Sequence, residues 1–272
     1  MSIKIVTYGP KHGQCNICGE LAALTEDHTP PKGCIRLGQI QIQHIADHLS
    51  AELARGDGRV RKFQSGLKYR TLCANCNNNI LGIRNDPILI NFVNTIIENL
   101  QSFRDLHYGI TVTTKPQRLM RSLLGHISAQ GVDRYQKGKN TDPLRDYMLD
   151  ESKSLPDFLT IYYWLYPYQR QVLIRDAAFL DLSIKDSKPV GMWLLKFFPI
   201  AFLIAWGDEP EYIKLNKLSD WRSIAIDDEK TLVIPTIPSI HPYWPEAPTD
   251  TSLVVYGQEA VASFTKKNSQ SR

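Results

Sequence analysis

Four of the chain's five cysteines fall in two identical pairs. Cys15-Asn16-Ile17-Cys18 and Cys73-Ala74-Asn75-Cys76 are C-x-x-C knuckles separated by 54 residues. The two-residue gap lets both thiolates of a pair grip one ion while the backbone turns around it, and two knuckles complete a closed tetrahedral shell. Such a shell favours structural zinc and leaves no open position for chemistry; an iron–sulfur cluster is the alternative. Disulfides and redox dithiols are disfavoured by the matched pairing and the lack of a secretory opening, since Met1-Ser2-Ile3-Lys4-Ile5-Val6 has no long apolar core. Zinc bound here is expected to be part of the folding energy, because the segment between the knuckles offers little core of its own. Cys34, the fifth cysteine, reads as a small residue near the core.

Charge is uneven around this framework. Residues 1–84 hold 11 Lys/Arg against 6 Asp/Glu, and the rest of the chain 21 against 22. The basic excess is densest at Arg59, Arg61, Lys62, Lys68 and Arg70, which are the candidate contacts to a phosphate backbone. The stretch from Trp193 to Trp206 is the most apolar, but at 14 residues, with Lys196 and Pro199 inside it, it is too short and interrupted for a membrane helix. The expectation is a cytoplasmic protein with no membrane partner.

The segment nine residues beyond the first knuckle, Asp27-His28-Thr29-Pro30, decides the functional reading. Cys15-x-x-Cys18-Gly19, then Asp27-His28-x-Pro30, then Leu72-Cys73-x-x-Cys76-Asn77 resembles the HNH endonuclease family, with its zinc-stabilised ββα-metal core, over about residues 12–84. The resemblance implies that Asp27 and Asn77 hold a catalytic Mg²⁺ or Mn²⁺ and that His28 is the general base. It implies nucleic acid as the partner, DNA in preference to RNA, and a setting such as a restriction or defence system. The residue types suit that chemistry. A hard cation takes oxygen ligands and stabilises charge on the leaving oxygen, and an imidazole with an ordinary pKa of about 6.5 has a usable neutral fraction. On extended backbone His28 points away from Asp27 and can take a proton without ligating the ion. The sequence departs from the family at Lys68, where the family's middle Asn, nine positions before the last ligand, would tie down the loop behind the histidine; Asn75 or Asn79 are alternative buttresses. A zinc-stabilised nucleic-acid-binding module without catalysis, or a partner-docking protein, is the competing reading.

The whole chain reads as α+β: an HNH-like domain over 1–84, a helical extension over 85–130, a polar linker or loop over 131–156, a β-rich domain over 157–264 and a tail over 265–272. Helices are predicted from Leu37 to Leu53, from Cys76 to Gly82, from Pro87 through Ile88, Phe92, Ile96 and Leu100, and from Pro116 to Gly125. His44 and His48, four apart, read as exposed positions of the first of these. Strands are predicted at Phe158 to Tyr166, Gln171 to Leu182, Met192 to Trp206, Trp221 to Ile226, Thr231 to Ile234 and Ser252 to Tyr256. The many aromatics of the β-rich part point to an aromatic core or to a surface for a protein partner or a second copy of the chain, with stacking on bases as the alternative.

Overall fold

In the computed structural model, residues 7–35, 38–54, 61–63, 66–102, 109–135, 138, 140–210, 212–236 and 240–265 are described. The chain builds a small sheet, a large sheet and a two-stranded ribbon, with helices between them.

The small sheet holds β1 (His12–Gln14), β2 (Leu21–His28) and β5 (Lys68–Cys73), in the order β1-β2-β5 and antiparallel throughout. β5 carries an extra residue, Thr71, opposite the Thr25/Glu26 step of β2. The buried positions of β2 are Leu24 and Asp27, three apart rather than alternating. Thr71 is not idle: its hydroxyl donates to Ala129 O at 2.6 Å and its carbonyl accepts from Asn16 N at 3.0 Å. A π-helix, Asn75–Asn85, follows β5 and runs directly into α2 (Asp86–Ser102).

The large sheet has nine strands. Its path is β11 (Asn216–Lys217), β7 (Leu159–Leu165), β10 (Ile200–Trp206), β9 (Val190–Phe197), β8 (Gln171–Asp181), β14 (Val261–Thr265), β3 (Ile40–His44) and β4 (Arg61–Phe63), with β13 (Ser252–Val255) on the far end of β8. All its pairings are antiparallel. The central strands are apolar on both sides because both sides are covered. Leu159, Ile161, Tyr163, Leu195, Phe202 and Ile204 belong to one core with α2 and α3 (Pro116–Ser128), while Tyr162, Trp164, Leu194, Ala201 and Leu203 belong to another with Ile45 and Leu49 of α1 (Ile45–Ala54). The period-two alternation thus separates two cores rather than core from solvent. β6 (Ile110–Thr114) and β12 (Lys230–Ile234) form the ribbon. No described helix is long and apolar enough to cross a membrane.

Several sequence expectations are corrected. Leu37–Leu53 is not one helix: Ile40–His44 is strand β3, and α1 begins only at Ile45. Ile40, Ile42 and His44 alternate into the sheet, whereas Ile45 and Leu49 share a helix face, so one apolar list served two periods. Strand β3 also joins the N-terminal third to the large sheet through β14. Met192–Trp206 is two strands, β9 and β10, divided at Phe198-Pro199. Trp221–Ile226 is a turn that follows the 3-10 segment Leu218–Trp221. The polar stretch 131–156 contains helix α4 (Thr141–Leu149), which buries Leu144, Tyr147 and Met148. Arg121 of α3 fastens it. Arg121 is 1 % exposed, and its guanidinium donates to Tyr147 O at 3.1 Å, Asp150 O at 3.2 Å and Lys153 O at 2.9 Å. An arginine buried among carbonyls satisfies both its own donors and chain that lacks a ladder.

Candidate metal centre

The four knuckle cysteines meet in space. Cys15 and Cys18 enter between β1 and β2, Cys73 ends β5 and Cys76 lies in the first turn of the π-helix. One ligand atom from each lies within 4.8 Å of all the others. Cys18 Sγ and Cys73 Sγ are 3.8 Å apart, which matches the edge of about 3.8 Å that Zn–S bonds of about 2.3 Å give a tetrahedron. The turn is built for the cluster: Gly19 N donates to Cys15 O at 2.9 Å and Cys76 N to Cys73 Sγ at 3.5 Å. Gly19 adopts φ +77°, and a Cβ there would lie 2.4 Å from the Tyr135 ring, so only glycine fits. Without a cation the sulfurs cannot all ionise. Hydrogen bonds from the Cys18 and Cys76 thiols draw Cys15 down to about 2, and the same Cys15 contact pushes Cys18 up to about 12 and Cys76 upward. Four sulfurs that converge this closely could hold a divalent ion, which would displace their protons.

The cage roots both β2–β5 and the π-helix. Asp27 and His28 lie at the end of β2, with Asp27 4 % exposed and His28 half-buried. Asn77, directly after Cys76, reaches back to the strand: its Nδ2 donates to Thr25 Oγ1 at 2.9 Å and to Glu26 O at 3.0 Å. The amide is therefore pinned one residue from Asp27 with its own Oδ1 facing away from those bonds. No described hydrogen bond reaches Asn77 Oδ1. None reaches Asp27 Oδ1 either, while Asp27 Oδ2 accepts from His126 Nδ1 at 2.8 Å.

His126 was not among the residues that the sequence singled out. It lies on α3, 1 % exposed, and its second nitrogen contacts Asp86 Oδ1 at 2.9 Å. Ser122, one turn earlier, donates to that same oxygen at 2.7 Å. Asp27–His126–Asp86–Ser122 is thus a continuous buried chain from β2 through α3 to the start of α2. Burial pulls His126 down, but the charges of Asp27 and Asp86 and their hydrogen bonds outweigh it and lift the imidazole to about 10. Burial raises Asp27, a rise that the His126 charge moderates. For Asp86 burial acts the same way, but the His126 charge, its hydrogen bond and the one from Ser122 outweigh it and the carboxyl is lowered. A carboxylate oriented through one oxygen by an imidazole keeps its other oxygen in a fixed direction, which is how outer groups steer a metal ligand.

The loop behind His28 is held without the middle Asn. Lys68, at that position, pairs with Glu26 at 3.1 Å on the surface. Asn79 donates to Asn75 at 3.0 Å. Thr29 is the tie instead, through its N–H to Leu67 O at 3.1 Å and its hydroxyl to His126 O at 3.3 Å.

The basic candidates differ in how far their side chains are engaged. Lys62 is exposed on β4, and Arg61 is a strand position beside it. Arg70 is engaged: its Nε donates to Gly9 O at 3.0 Å and its guanidinium lies 5.6 Å from the Tyr8 ring centre. Arg59 lies outside the described residues. His44 and His48 are buried, not exposed. His44 Nε2 is 3.1 Å from Gly257 O, its Nδ1 accepts from Ala46 N, and His48 Nδ1 is 3.1 Å from Gln43 Oε1.

No protein-family model, curated protein or solved structure matches the chain.

Proposed function

We propose that the chain is a divalent-metal-dependent endonuclease of HNH type, hydrolysing phosphodiester bonds of nucleic acid, with DNA the preferred substrate. The observation that supports this reading is the tie between Asn77 and the end of β2 beside the sulfur cage. Asn77 is bonded to the strand one residue from Asp27, and both side chains keep an oxygen that no described hydrogen bond uses. In this reading zinc occupies the four-cysteine cage as a structural ion, and Asp27 Oδ1 with Asn77 Oδ1 holds Mg²⁺ or Mn²⁺. Such an ion supplies orientation of the phosphate and stabilisation of charge on the leaving oxygen. His28 takes the proton of the attacking water. His126 and Asp86 fix the direction of the Asp27 carboxylate, and Thr29 fixes the strand end from which His28 projects. Lys62 and Arg61 follow the backbone of the substrate without reading bases.

A second reading, a zinc-stabilised nucleic-acid-binding module without catalysis, is favoured by the depth of Asp27 and its commitment to His126. Incubating the zinc-loaded protein with plasmid and single-stranded DNA and with RNA, in Mg²⁺ or Mn²⁺, separates the two. Cleavage that disappears in His28→Ala while zinc content and the melting curve are retained supports the nuclease. Binding with no cleavage in either metal supports the module, and cleavage undiminished by His28→Ala refutes the assigned base.

A further inference from the structure

A second site lies where the large sheet faces the first knuckle. Between Ile174 and Ala177 the β8–β9 register shifts, and Asp176 there adopts φ +61°, a conformation that side-chain-bearing residues rarely take. The bulge sets Arg175 and Asp176 side by side on the wall of a recess of about 350 Å³, whose other walls include Arg134, Gly191, Trp193 and Trp206. That volume is at the small end of natural ligand sites. A smaller cavity of about 40 Å³ shares Arg175, Trp193 and Trp206 and reaches Asn16 and Ile17 of the knuckle.

The chemistry of the walls is specific. Trp193 and Trp206 lie with ring centres 4.8 Å apart, and Phe158 stacks behind Trp206 at 5.5 Å. Asp176 is already taken: one oxygen pairs with Arg134 at 2.7 Å and the other accepts from Trp193 Nε1 at 3.1 Å. Arg175 is only 8 % exposed, and its terminal nitrogens donate to Ser128 O at 2.7 Å, Gln130 O at 3.1 Å and Arg134 O at 3.2 Å. Those partners are neutral carbonyls. The nearest carboxylate oxygen, Asp176 Oδ2, is 3.9 Å from Arg175 Nε, too far for a hydrogen bond, and that Nε has no acceptor. The Trp206 indole N–H is likewise buried without one. Two arginines, one aspartate and a pair of indoles line the recess, and two donors of those residues, Arg175 Nε and Trp206 Nε1, are buried without acceptors. Gly191 pairs with Trp206 across β9 and β10, and a Cβ there would lie 3.2 Å from Trp206 Cβ.

We propose that this recess binds a nucleotide unit, with its base against the Trp193–Trp206 indoles and its phosphate against Arg134 and Arg175. Asn16 links it to the sulfur cage: its Nδ2 donates to Ser128 O at 3.0 Å, the carbonyl that Arg175 also uses, and its Oδ1 accepts from Arg134 N. Occupancy is therefore felt one carbonyl away from the first knuckle. The proposal needs no catalysis and stands whether or not the metal centre cleaves nucleic acid.

The test is a titration of the full zinc-loaded chain, without Mg²⁺, with AMP, GMP, CMP and UMP, the matching nucleosides, and a 5′-phosphorylated oligothymidylate, followed by tryptophan fluorescence and calorimetry. Saturable quenching is expected with a dissociation constant at or below roughly 100 μM for at least one mononucleotide or for the strand. Response to mononucleotides means a free ligand; response to the strand alone means a nucleotide presented by nucleic acid. Arg134→Ala, at a partly exposed position, should weaken binding by roughly tenfold or more, to the level at which wild type binds the nucleoside. Trp206→Phe should retain the fold and reduce both quenching and affinity. No saturable response to any probe at roughly 1 mM, or equal affinity in wild type and Arg134→Ala, overturns the proposal.

Discussion

Replacing His126 with alanine should remove much of the chain's stability, and the loss should depend on pH in one direction. The imidazole sits 2.8 Å from Asp27 Oδ2 and 2.9 Å from Asp86 Oδ1, all three side chains inside the protein. Truncation leaves two carboxylates facing a void. Breaking a buried, hydrogen-bonded ion pair from one side costs about 3–5 kcal/mol, against a total of about 5–15 kcal/mol for a typical fold. The pKa gives a comparable figure, since a lift from 6.5 to about 10 corresponds to roughly 5 kcal/mol. Because the folded value is the higher one, this contribution is complete below about 6.5 and disappears as pH climbs through about 10. Lys196, which burial lowers to about 8, works in the opposite sense, adding stability from about 8 upward. The quantity to measure is thus the difference between wild type and variant, in which Lys196 cancels. Urea unfolding at several pH values between about 6 and 10 should show a gap of about 3–5 kcal/mol at the acid end, narrowing as pH rises. A gap below about 1 kcal/mol, or one that widens with pH, would refute the description of His126 as a cation held between two carboxylates.

Three further outcomes follow from other parts of the molecule. Cys73→Ser should lower bound zinc from one ion per chain and melt the β2–β5 unit with it, read by metal analysis and hydrogen exchange, because the cage and the fold are coupled. Gly125→Ala should destabilise by about 1–3 kcal/mol in urea unfolding, since a Cβ there would lie 2.3 Å from Leu81 Cδ2 where α3 crosses the π-helix. Glu246→Ala should cost about 3–5 kcal/mol, because it strips the carboxylate from a fully buried Lys196 that contacts both its oxygens at 2.8 Å, and from Arg170 beside it; thermal melts of Glu246→Ala and of the Glu246→Ala/Lys196→Met double variant would show whether the unpaired lysine is the cause.

What could be read from the sequence was what short spacing encodes. Each knuckle is a four-residue motif, so the sulfur cage was visible before any fold, and the continuous apolar runs of β7, β8 and β10 announced themselves as strands. Of the stripe Ile88, Phe92, Ile96 and Leu100, Phe92 and Ile96 lie on the buried face of α2, which Leu89 and Val93 complete. Mixed periods were harder. Ile42, Ile45, Ala46, Leu49 and Leu53 fit a helix on paper, but the first belongs to a strand completed by β14 from the other end of the chain. Nor could local spacing reveal the site's inner layer. His126 contacts Asp27 across 99 residues and Asp86 across 40. The available signal was compositional: Gln117, Arg121, Ser122 and His126 are polar residues in a helix buried on all sides, where each polar group must find a partner. The stretch 131–156 misled for the same reason, since its polarity hides carbonyls collected by Arg121.

Manganese binding tests the account's centre most directly. Titrating the zinc-loaded protein with Mn²⁺ and following free ion by electron paramagnetic resonance should reveal one site that weakens by roughly tenfold or more in Asp27→Asn and in Asn77→Ala, with zinc still at one per chain. Mn²⁺ affinity unchanged by both substitutions, in variants that keep their zinc and their fold, would contradict the claim that these two side chains hold a common cation.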